Sequence, residues 1–194
     1  MKFTPNFFKE INKTISKIER DKIETIAKML AKLRLKKGRL FVMGVGGSSA
    51  NASHAVNDFR KLCNIEAYCL TDNISELTAR TNDEGWESTF LGYLKNSNLK
   101  SKDMLMTFSV GGGNLKKKVS MNIVKAMQFA KKKRVKTISV VGKNDGYAAK
   151  KSTISIIFKI DDEKLITPIT ESLQVLVWHY LVSSPVLQKN KTTW

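Results

Sequence analysis

The 194-residue chain contains only two histidines, and each stands at a regular spacing from an acidic residue. His54 precedes Asp58 by four positions, so on a helix the two side chains lie on one face. That spacing suits two ligands of one metal ion, or an acid and a base acting on one substrate. A hydrogen bond on a helix surface is the alternative interpretation of an isolated His-x-x-x-Asp pattern.

The second pair consists of Glu171 and His179, eight positions apart in an apolar segment. Eight residues rise about 12 Å along a helix, which is close to the combined reach of two long side chains that point at one central atom. The sequence leaves open whether the pair converges on one ion or comes together from different subunits. A hydrogen-bonded histidine in the hydrophobic core is the alternative interpretation of His179.

Three glycine-rich segments complete the candidates for chemistry: 44–49 (GVGGSS), 109–114 (SVGGGN) and 142–146 (GKNDG). Glycines let backbone N–H groups approach an anion closely, and the N-terminus of a following helix favours negative charge. The first segment is neither G-x-G-x-x-G nor a P-loop, because no Gly-Lys-Ser/Thr follows it. Each segment alone is compatible with a tight turn. Together they favour a ligand that carries a phosphate.

The apolar pattern predicts that these segments follow strands of one sheet. Strands are predicted at 39–45, 65–70, 103–110, 135–142 and 152–158. Helices are predicted at 49–62, 73–95, 115–133 and 168–183. The segment 73–95 is predicted to form two short helices around Gly85, and Pro168 lies near the first turn of the last helix. The strands are almost continuously apolar, which is typical of a parallel sheet covered on both faces. We therefore predict a doubly wound α/β fold with a five-stranded parallel sheet, whose ligands bind beyond the carboxyl ends of the strands.

A helical region precedes the first strand. Ile11, Ile15, Ile18, Ile26 and Leu30 recur at helical spacing or its multiples over residues 6–37, and Gly38 breaks the pattern. We therefore predict an N-terminal helical region at 1–37 and a main domain at 38–194.

Composition narrows the class of protein. No apolar run approaches the length of about 20 residues that a membrane span needs, and the N-terminus has no apolar signal core, so we expect a cytoplasmic protein. The net charge of +17 is spread over short clusters such as LRLKKGR, LKKK and AKKKRVK, with no interleaved aromatic residues. This distribution argues against nucleic acid as a partner and is compatible with the steering of an anionic small molecule.

Residues from about 38 to the C-terminus resemble the sugar isomerase (SIS) fold, and within it the phosphoheptose isomerases. The G-N-G-G-S motif of that family, its histidine and its glutamate four residues later match 44–48, His54 and Asp58. Its Asn-Asp pair matches Asn82 and Asp83, and its phosphate loop S-T-S-G-N-S matches 109–114. Its last helix carries a glutamine and, eight residues on, a histidine, where this chain has Glu171 and His179. The N-terminal helical region also fits the architecture of the family.

The resemblance implies an aldose–ketose isomerase that converts sedoheptulose 7-phosphate into D-glycero-D-manno-heptose 7-phosphate through an enediol. It implies a zinc ion held by His54, Asp58, Glu171 and His179, with Asp58 as the base, Glu171 as the competing base and His179 as the acid. The matching substrate-binding residues are Val45, Gly46, Gly47, Ser48, Asn82, Asp83, Ser109, Val110, Gly111 and Asn114. It also implies a homotetramer whose subunits share active sites.

The chain departs from the family pattern at several of these positions. Asp58 is one methylene shorter than glutamate, and Glu171 replaces a neutral glutamine, so two carboxylates would neutralise the metal more fully and make it a weaker Lewis acid. Val45, Val110, Gly111 and Asn114 replace polar residues of the two loops, and about four residues are added around LKKK. Two other functions remain open: isomerisation of another sugar phosphate, and a non-catalytic SIS-fold protein that binds a sugar phosphate or acts as a protein adaptor.

Overall fold

A computed structural model describes residues 3–192; residues 1, 2, 193 and 194, which the two predicted regions include, lie outside the described part. The helices are α1 (Phe3–Ser16), α2 (Arg20–Leu35), α3 (Gly47–Cys63), α4 (Ile74–Glu84), α5 (Thr89–Asn96), α6 (Met121–Lys132), α7 (Tyr147–Lys151) and α8 (Ile166–Ser183). The strands are β1 (Leu40–Met43), β2 (Ala67–Cys69), β3 (Met104–Ser109), β4 (Lys136–Val141) and β5 (Ile154–Ile157). Over residues 3–192, no helix has the length and apolar character needed to cross a membrane.

The five strands form one parallel sheet in the order β2-β1-β3-β4-β5, which confirms the predicted fold class. Leu40 of β1 pairs with Ala67 of β2 on one side and with Met104 of β3 on the other. Every residue of β1 and β3 is buried, because helices cover both faces of the sheet. The carboxyl ends of all five strands therefore meet at one edge, where the glycine-rich segments follow β1, β3 and β4.

Each face of the sheet carries its own apolar core. On one face α2, α3 and α8 pack against the strands through side chains such as Leu30, Phe59 and Trp178. On the other face α5 and α6 pack through side chains such as Phe90 and Met127. The helix α2 therefore belongs to the same layer as the two helices that carry the histidines.

The structure corrects the predicted elements in three places. The N-terminal helical region is two helices, because the chain breaks between Ser16 and Arg20. α6 begins at Met121 rather than at 115, because residues Asn114 and Val119 pair their backbones and close an exposed loop. The five-residue helix α7 was missed, since so short a segment has no detectable periodicity. The two helices around Gly85 and the helix after the first glycine segment are confirmed.

A buried ion pair joins the starts of β1 and β3. Asp103 is 1 % exposed, and its carboxylate accepts hydrogen bonds from the Arg39 guanidinium at 2.7 Å, the Arg39 backbone N–H at 2.9 Å and the Lys100 backbone N–H at 2.9 Å. Burial by itself raises the pKa of Asp103, but the hydrogen bonds and the charge of Arg39 outweigh it and hold the pKa below its usual value.

We expect Asp103→Asn to lower the free energy of unfolding by about 3 kcal/mol at neutral pH, because the Arg39 guanidinium loses its buried charged partner. The pKa of Asp103 is lower in the folded chain than in the unfolded chain. Its contribution is therefore complete above about pH 4 and is lost as the pH falls through the folded pKa. Urea unfolding of both proteins should show a difference that shrinks on acidification, and a difference independent of pH would contradict this assignment.

Candidate active site

The structure brings His54, Asp58 and His179 together on the facing surfaces of α3 and α8. The Oδ2 atom of Asp58 lies 3.7 Å from Nε2 of His54 and 3.5 Å from Nε2 of His179. The Asp58 side chain is 12 % exposed, whereas the two imidazoles are 57 % and 48 % exposed. The predicted four-residue spacing on one helix thus places a shielded carboxylate beneath two accessible imidazoles.

Two neighbouring side chains fix the Asp58 carboxylate. The indole Nε1 of Trp178 donates a hydrogen bond to Oδ2 at 3.3 Å, and the amide of Asn57 donates to Oδ1 at 3.1 Å. Trp178 is itself buried, stacked on Phe108, and its ring lies edge-on to His54. Sequence reasoning missed Trp178; its only signal was a position next to His179 in an apolar helix.

The cluster has the composition of a metal site. Two imidazole nitrogens and one carboxylate oxygen lie within 4.8 Å of one another, and this donor set suits a divalent transition metal such as zinc. A cavity of about 380 Å³ opens beside them and is lined also by Lys61, Leu62, Val182 and Ser183. Three protein ligands beside an open cavity would leave room for a substrate oxygen, as catalytic metal sites require.

Glu171, the fourth predicted ligand, lies apart from this cluster within one chain. It stands eight residues before His179 on α8 and faces the start of α3, where its carboxylate lies against Gly47 and 3.5 Å from the hydroxyl of Ser48. The helical rise separates it from His179, and its side chain points towards the first glycine segment. The structure thus brings three of the four predicted ligands together and places the fourth beside the predicted phosphate loop.

A hydrogen-bond network supports this end of the site. The buried amide of Gln174 donates to the Ser48 hydroxyl at 3.2 Å and accepts from Asn51 at 2.9 Å, and Asn51 also donates to the Glu171 carbonyl at 2.9 Å. Because Ser48 accepts from Gln174, its own hydrogen is free for Glu171 or for a ligand. Sequence reasoning missed Asn51 and Gln174, although both are amides near predicted site residues.

The first glycine segment turns sharply into α3. Gly46 has φ +64°, a left-handed conformation that favours glycine. Val45 is half-buried, Gly46 and Gly47 are exposed, and Ser48 is buried. The first N–H groups of the 17-residue helix α3 begin at Gly47, so the segment and the helix N-terminus together favour an anion.

The second glycine segment is held rigidly beside the first, since β3 neighbours β1. The Ser109 hydroxyl accepts from the Gly112 N–H at 2.9 Å, and the Gly112 and Gly113 carbonyls accept from the start of α7 at 2.8 and 2.7 Å. A Cβ on Gly146 would lie 2.0 Å from the Gly111 carbonyl oxygen, so the third segment packs directly on the second. No hydrogen bond to the described residues occupies the N–H groups of Gly111 and Gly113.

The remaining predicted substrate residues differ in their surroundings. Val110 and Asn114 are half-buried at the two ends of the second glycine segment. Asn82 and Asp83 are exposed in the last turn of α4, where the Asn82 amide donates to Asp83 at 2.8 Å. Within residues 3–192 no hydrogen bond or ion pair joins them to the glycine segments or to the histidine cluster.

Comparison with known proteins places this site in a family. Residues 6–142 match the SIS domain. The chain belongs to the SIS domain family. It is 33 % identical over 150 residues to the lincomycin biosynthesis protein LmbN of Streptomyces lincolnensis, covering 74 % of this chain and 54 % of that protein. The chain thus spans about half the length of LmbN.

Other SIS proteins resemble the chain over more of their length. A phosphoheptose isomerase of Helicobacter pylori is 30 % identical over 149 residues, covering 74 % of this chain and 72 % of that protein. The solved structure of phosphoheptose isomerase GmhA from Neisseria gonorrhoeae superposes with a TM-score of 0.78 at 20 % identity, covering 92 % of each chain. The last likeness is one of fold, and it covers a larger share of the chain than the family match over residues 6–142.

Proposed function

We propose that this SIS protein is a cytoplasmic isomerase of carbohydrate metabolism that converts sedoheptulose 7-phosphate into D-glycero-D-manno-heptose 7-phosphate. The observation that carries the proposal is the cluster of His54, Asp58 and His179 beside a cavity. It supplies a carboxylate and an imidazole for proton transfer, in a family whose related members include phosphoheptose isomerases. The second requirement is a site that binds the phosphate of the sugar. The two glycine segments that follow the carboxyl ends of β1 and β3 supply it.

The isomerisation moves one proton between two carbons and one between two oxygens. Asp58 takes the proton from C1 of the ketose and returns it to C2, so the intermediate is an enediol. His179 moves the other proton from the C1 hydroxyl to the C2 carbonyl oxygen, a role suited to imidazole. The hydrogen bonds from Trp178 and Asn57 hold the Asp58 carboxylate in one orientation for both transfers.

The residues present fit a zinc ion, which His54, Asp58 and His179 would hold. An imidazole nitrogen that holds a metal cannot also carry the proton, so His179 would hold the ion through Nε2, which faces Asp58, and would move the proton through Nδ1. When bound, it would stabilise negative charge on the sugar oxygens of the enediolate. Oδ2 of Asp58 faces both imidazoles, whereas the hydrogen bond that Oδ1 accepts within residues 3–192 comes from the Asn57 amide. We therefore assign metal binding to Oδ2 and proton transfer to Oδ1.

The glycine segments would bind the phosphate. The N-terminus of α3 with the Ser48 hydroxyl would contribute donors from the first segment, and the N–H groups of Gly111 and Gly113 would contribute donors from the second. Val45, Ser109, Val110 and Asn114 would shape the same pocket. Backbone N–H groups would thus donate to the phosphate at positions where this chain has valine or glycine and the family pattern has hydroxyl side chains.

The length of α3 favours an active site that is shared between subunits. Gly47 and Asp58 are eleven residues apart on α3, or about 16 Å along the helix axis. This exceeds the extended length of a seven-carbon sugar phosphate, and the phosphate would sit beyond the start of the helix. We therefore assign the phosphate loops and the proton-transfer cluster of one active site to different subunits of a homotetramer, with Glu171 reaching the metal of a neighbour.

Exposed apolar side chains support such an assembly. Leu176 and Tyr180 flank His179 on the outer face of α8, and Phe3 and Phe8 are exposed on α1. Contiguous apolar surface is typical of subunit contacts, and Leu176 and Tyr180 are neighbours, one turn apart on α8. A contact through α8 would bring a second copy directly against the two accessible imidazoles.

The Gln174 network yields a prediction about substrate affinity. We expect Gln174→Met to raise KM about tenfold with a smaller change in kcat, because the Ser48 hydroxyl loses the donor that orients it towards the phosphate. The inhibition constant of inorganic phosphate should rise by a similar factor. Ser172→Ala, on the exposed face of α8, serves as the control. A fall in kcat at constant KM would contradict the assignment.

The decisive test is an NMR assay of metal-loaded protein with sedoheptulose 7-phosphate, with and without a chelator. Formation of heptose 7-phosphate that stops on chelation and returns with zinc would support both the activity and the metal. Turnover unaffected by chelation would contradict the metal assignment. Absence of turnover by folded, metal-loaded protein would contradict the substrate and favour another sugar phosphate or a binding role.

A further inference from the structure

Basic clusters that are far apart in sequence meet at the edge of the sheet opposite the glycine segments. They come from α2, from the turn before β1, from the loop before β3 and from the turn between α6 and β4. We call this surface the basic face, formed by Lys28, Lys32, Lys36, Lys37, Lys100, Lys102, Arg134 and Lys136. These basic residues are scattered in the sequence, and that scatter argued against nucleic acid as a partner. In the folded chain the same residues form one surface.

The basic face surrounds two adjacent cavities that share Lys102. One has a volume of about 300 Å³ and the other about 350 Å³. Within residues 3–192 no ion pair involves any of the eight cations. The two carboxylates that line the cavities are already engaged, since Asp103 pairs with Arg39 and Glu66 accepts from the Tyr68 hydroxyl. Arg39 and Asp103 balance each other, whereas Glu66 keeps its negative charge because the Tyr68 hydroxyl is neutral. The eight cations therefore exceed the remaining carboxylate of the lining by seven charges.

The loop that carries Lys100 and Lys102 is fixed to the sheet. Asp103 holds it through the Lys100 backbone N–H and the Arg39 side chain. On the other side, a Cβ on Gly38 would lie 2.2 Å from the Lys102 carbonyl oxygen, so the turn after α2 packs directly on the loop. Because the backbone of this loop is held in place, its lysines present their charges at defined positions. Binding therefore costs less backbone entropy than it would on a mobile loop.

The proposed sugar-phosphate site does not account for this surface. The basic face lies at the amino ends of β3 and β4, whereas the glycine segments follow their carboxyl ends. Each strand is six residues long, which separates the two edges by about 20 Å. One phosphate group is satisfied by two or three cations, so eight cations spread over two cavities match a polymer of phosphates better than a small molecule.

We propose that the basic face binds the phosphate backbone of double-stranded nucleic acid without reading its sequence. Lys28 and Lys32 of α2 and Lys36 directly after the helix are four residues apart and form a row along one side. Counterion release from phosphates supplies the free energy of such contacts. Of the described side chains that line the two cavities, none is aromatic. Single-strand binding uses base stacking on aromatic rings, so a duplex backbone is the better match.

Fluorescence anisotropy with a labelled DNA duplex of mixed sequence, over a series of salt concentrations, tests the proposal. The variant K32Q/K102Q/K136Q removes one charge from each of three segments. We expect the slope of log K against log salt to fall by about three and the affinity at low salt to drop about tenfold or more. An RNA duplex, a single strand and vesicles of anionic phospholipid provide the comparison of ligands.

The matched control is K9Q/K159Q/K164Q, which removes the same net charge. Lys159 and Lys164 follow β5 at its carboxyl end, and Lys9 is on α1, whose Glu10 accepts from the Asp161 N–H. The control should bind the duplex with nearly the slope of the original protein, and all proteins should unfold at similar temperatures. Equal losses in both triple variants, no duplex binding at low salt, or stronger binding to vesicles or single strands would overturn the proposal. None of these readouts depends on isomerase activity.

Discussion

Replacement of Asp58 by asparagine should reduce kcat by about a thousandfold or more while leaving the fold intact. Asparagine has the shape of aspartate but cannot accept the C1 proton, and positioned proton transfer contributes about 10²–10⁴-fold to such reactions. The amide oxygen can still accept the Trp178 indole N–H that now reaches Oδ2, so the packing of α3 against α8 should persist. The NMR assay with sedoheptulose 7-phosphate measures the loss, and thermal unfolding checks the fold.

Two companion variants sharpen this result. Asp72→Asn makes the same substitution at an exposed position and should retain full activity. Glu171→Gln installs the residue of the family pattern beside Ser48, so under our assignment it should retain most turnover. Full activity of Asp58→Asn together with its loss in Glu171→Gln would transfer the role of base to Glu171, the carboxylate that lies against the first glycine segment.

The fold was predictable because the sequence patterns that indicate strands and helix ends lie within short segments and recur along the chain. Continuous apolar runs predicted the five parallel strands, and the turn chemistry at Gly38 and Gly85 marked the ends of helices. The pairing of Asn114 with Val119 could not be predicted, since backbone hydrogen bonds across a polar loop leave no mark on apolar periodicity. The start of α6 was therefore placed too early.

The candidate site was predictable only in part, for a related reason. His54 and Asp58 share one helix, so their spacing predicted their contact. The contact of both with His179 depends on how α3 packs on α8, and only the resemblance to SIS proteins suggested it. Trp178 and Gln174 were missed because each acts through a neighbour on another helix. The position of Glu171 apart from the cluster follows from the same packing, which seats it against Gly47.

Two inactive variants should restore activity when their subunits assemble together. Gly111→Asp places a negative charge in the proposed phosphate loop, and a Cβ at this position meets no atom within 4 Å, so the fold should tolerate it. Asp58→Asn removes the proposed base. If each site combines the loop of one subunit with the cluster of another, random assortment leaves about a quarter of the sites intact in mixed tetramers.

Co-expression of the two variants with different affinity tags, followed by tandem purification, isolates the mixed oligomers for the NMR assay. Gly111→Asn is the matched control, because it adds similar bulk without the charge and should lose far less activity than Gly111→Asp. Activity near a quarter of the original protein would support a site built from two subunits, which we propose because about 16 Å separate the start of α3 from Asp58 along the helix axis. Mixed oligomers that stay as inactive as each variant alone would confine the site to one chain, and the substrate would then have to reach Asp58 without the glycine segments of its neighbour.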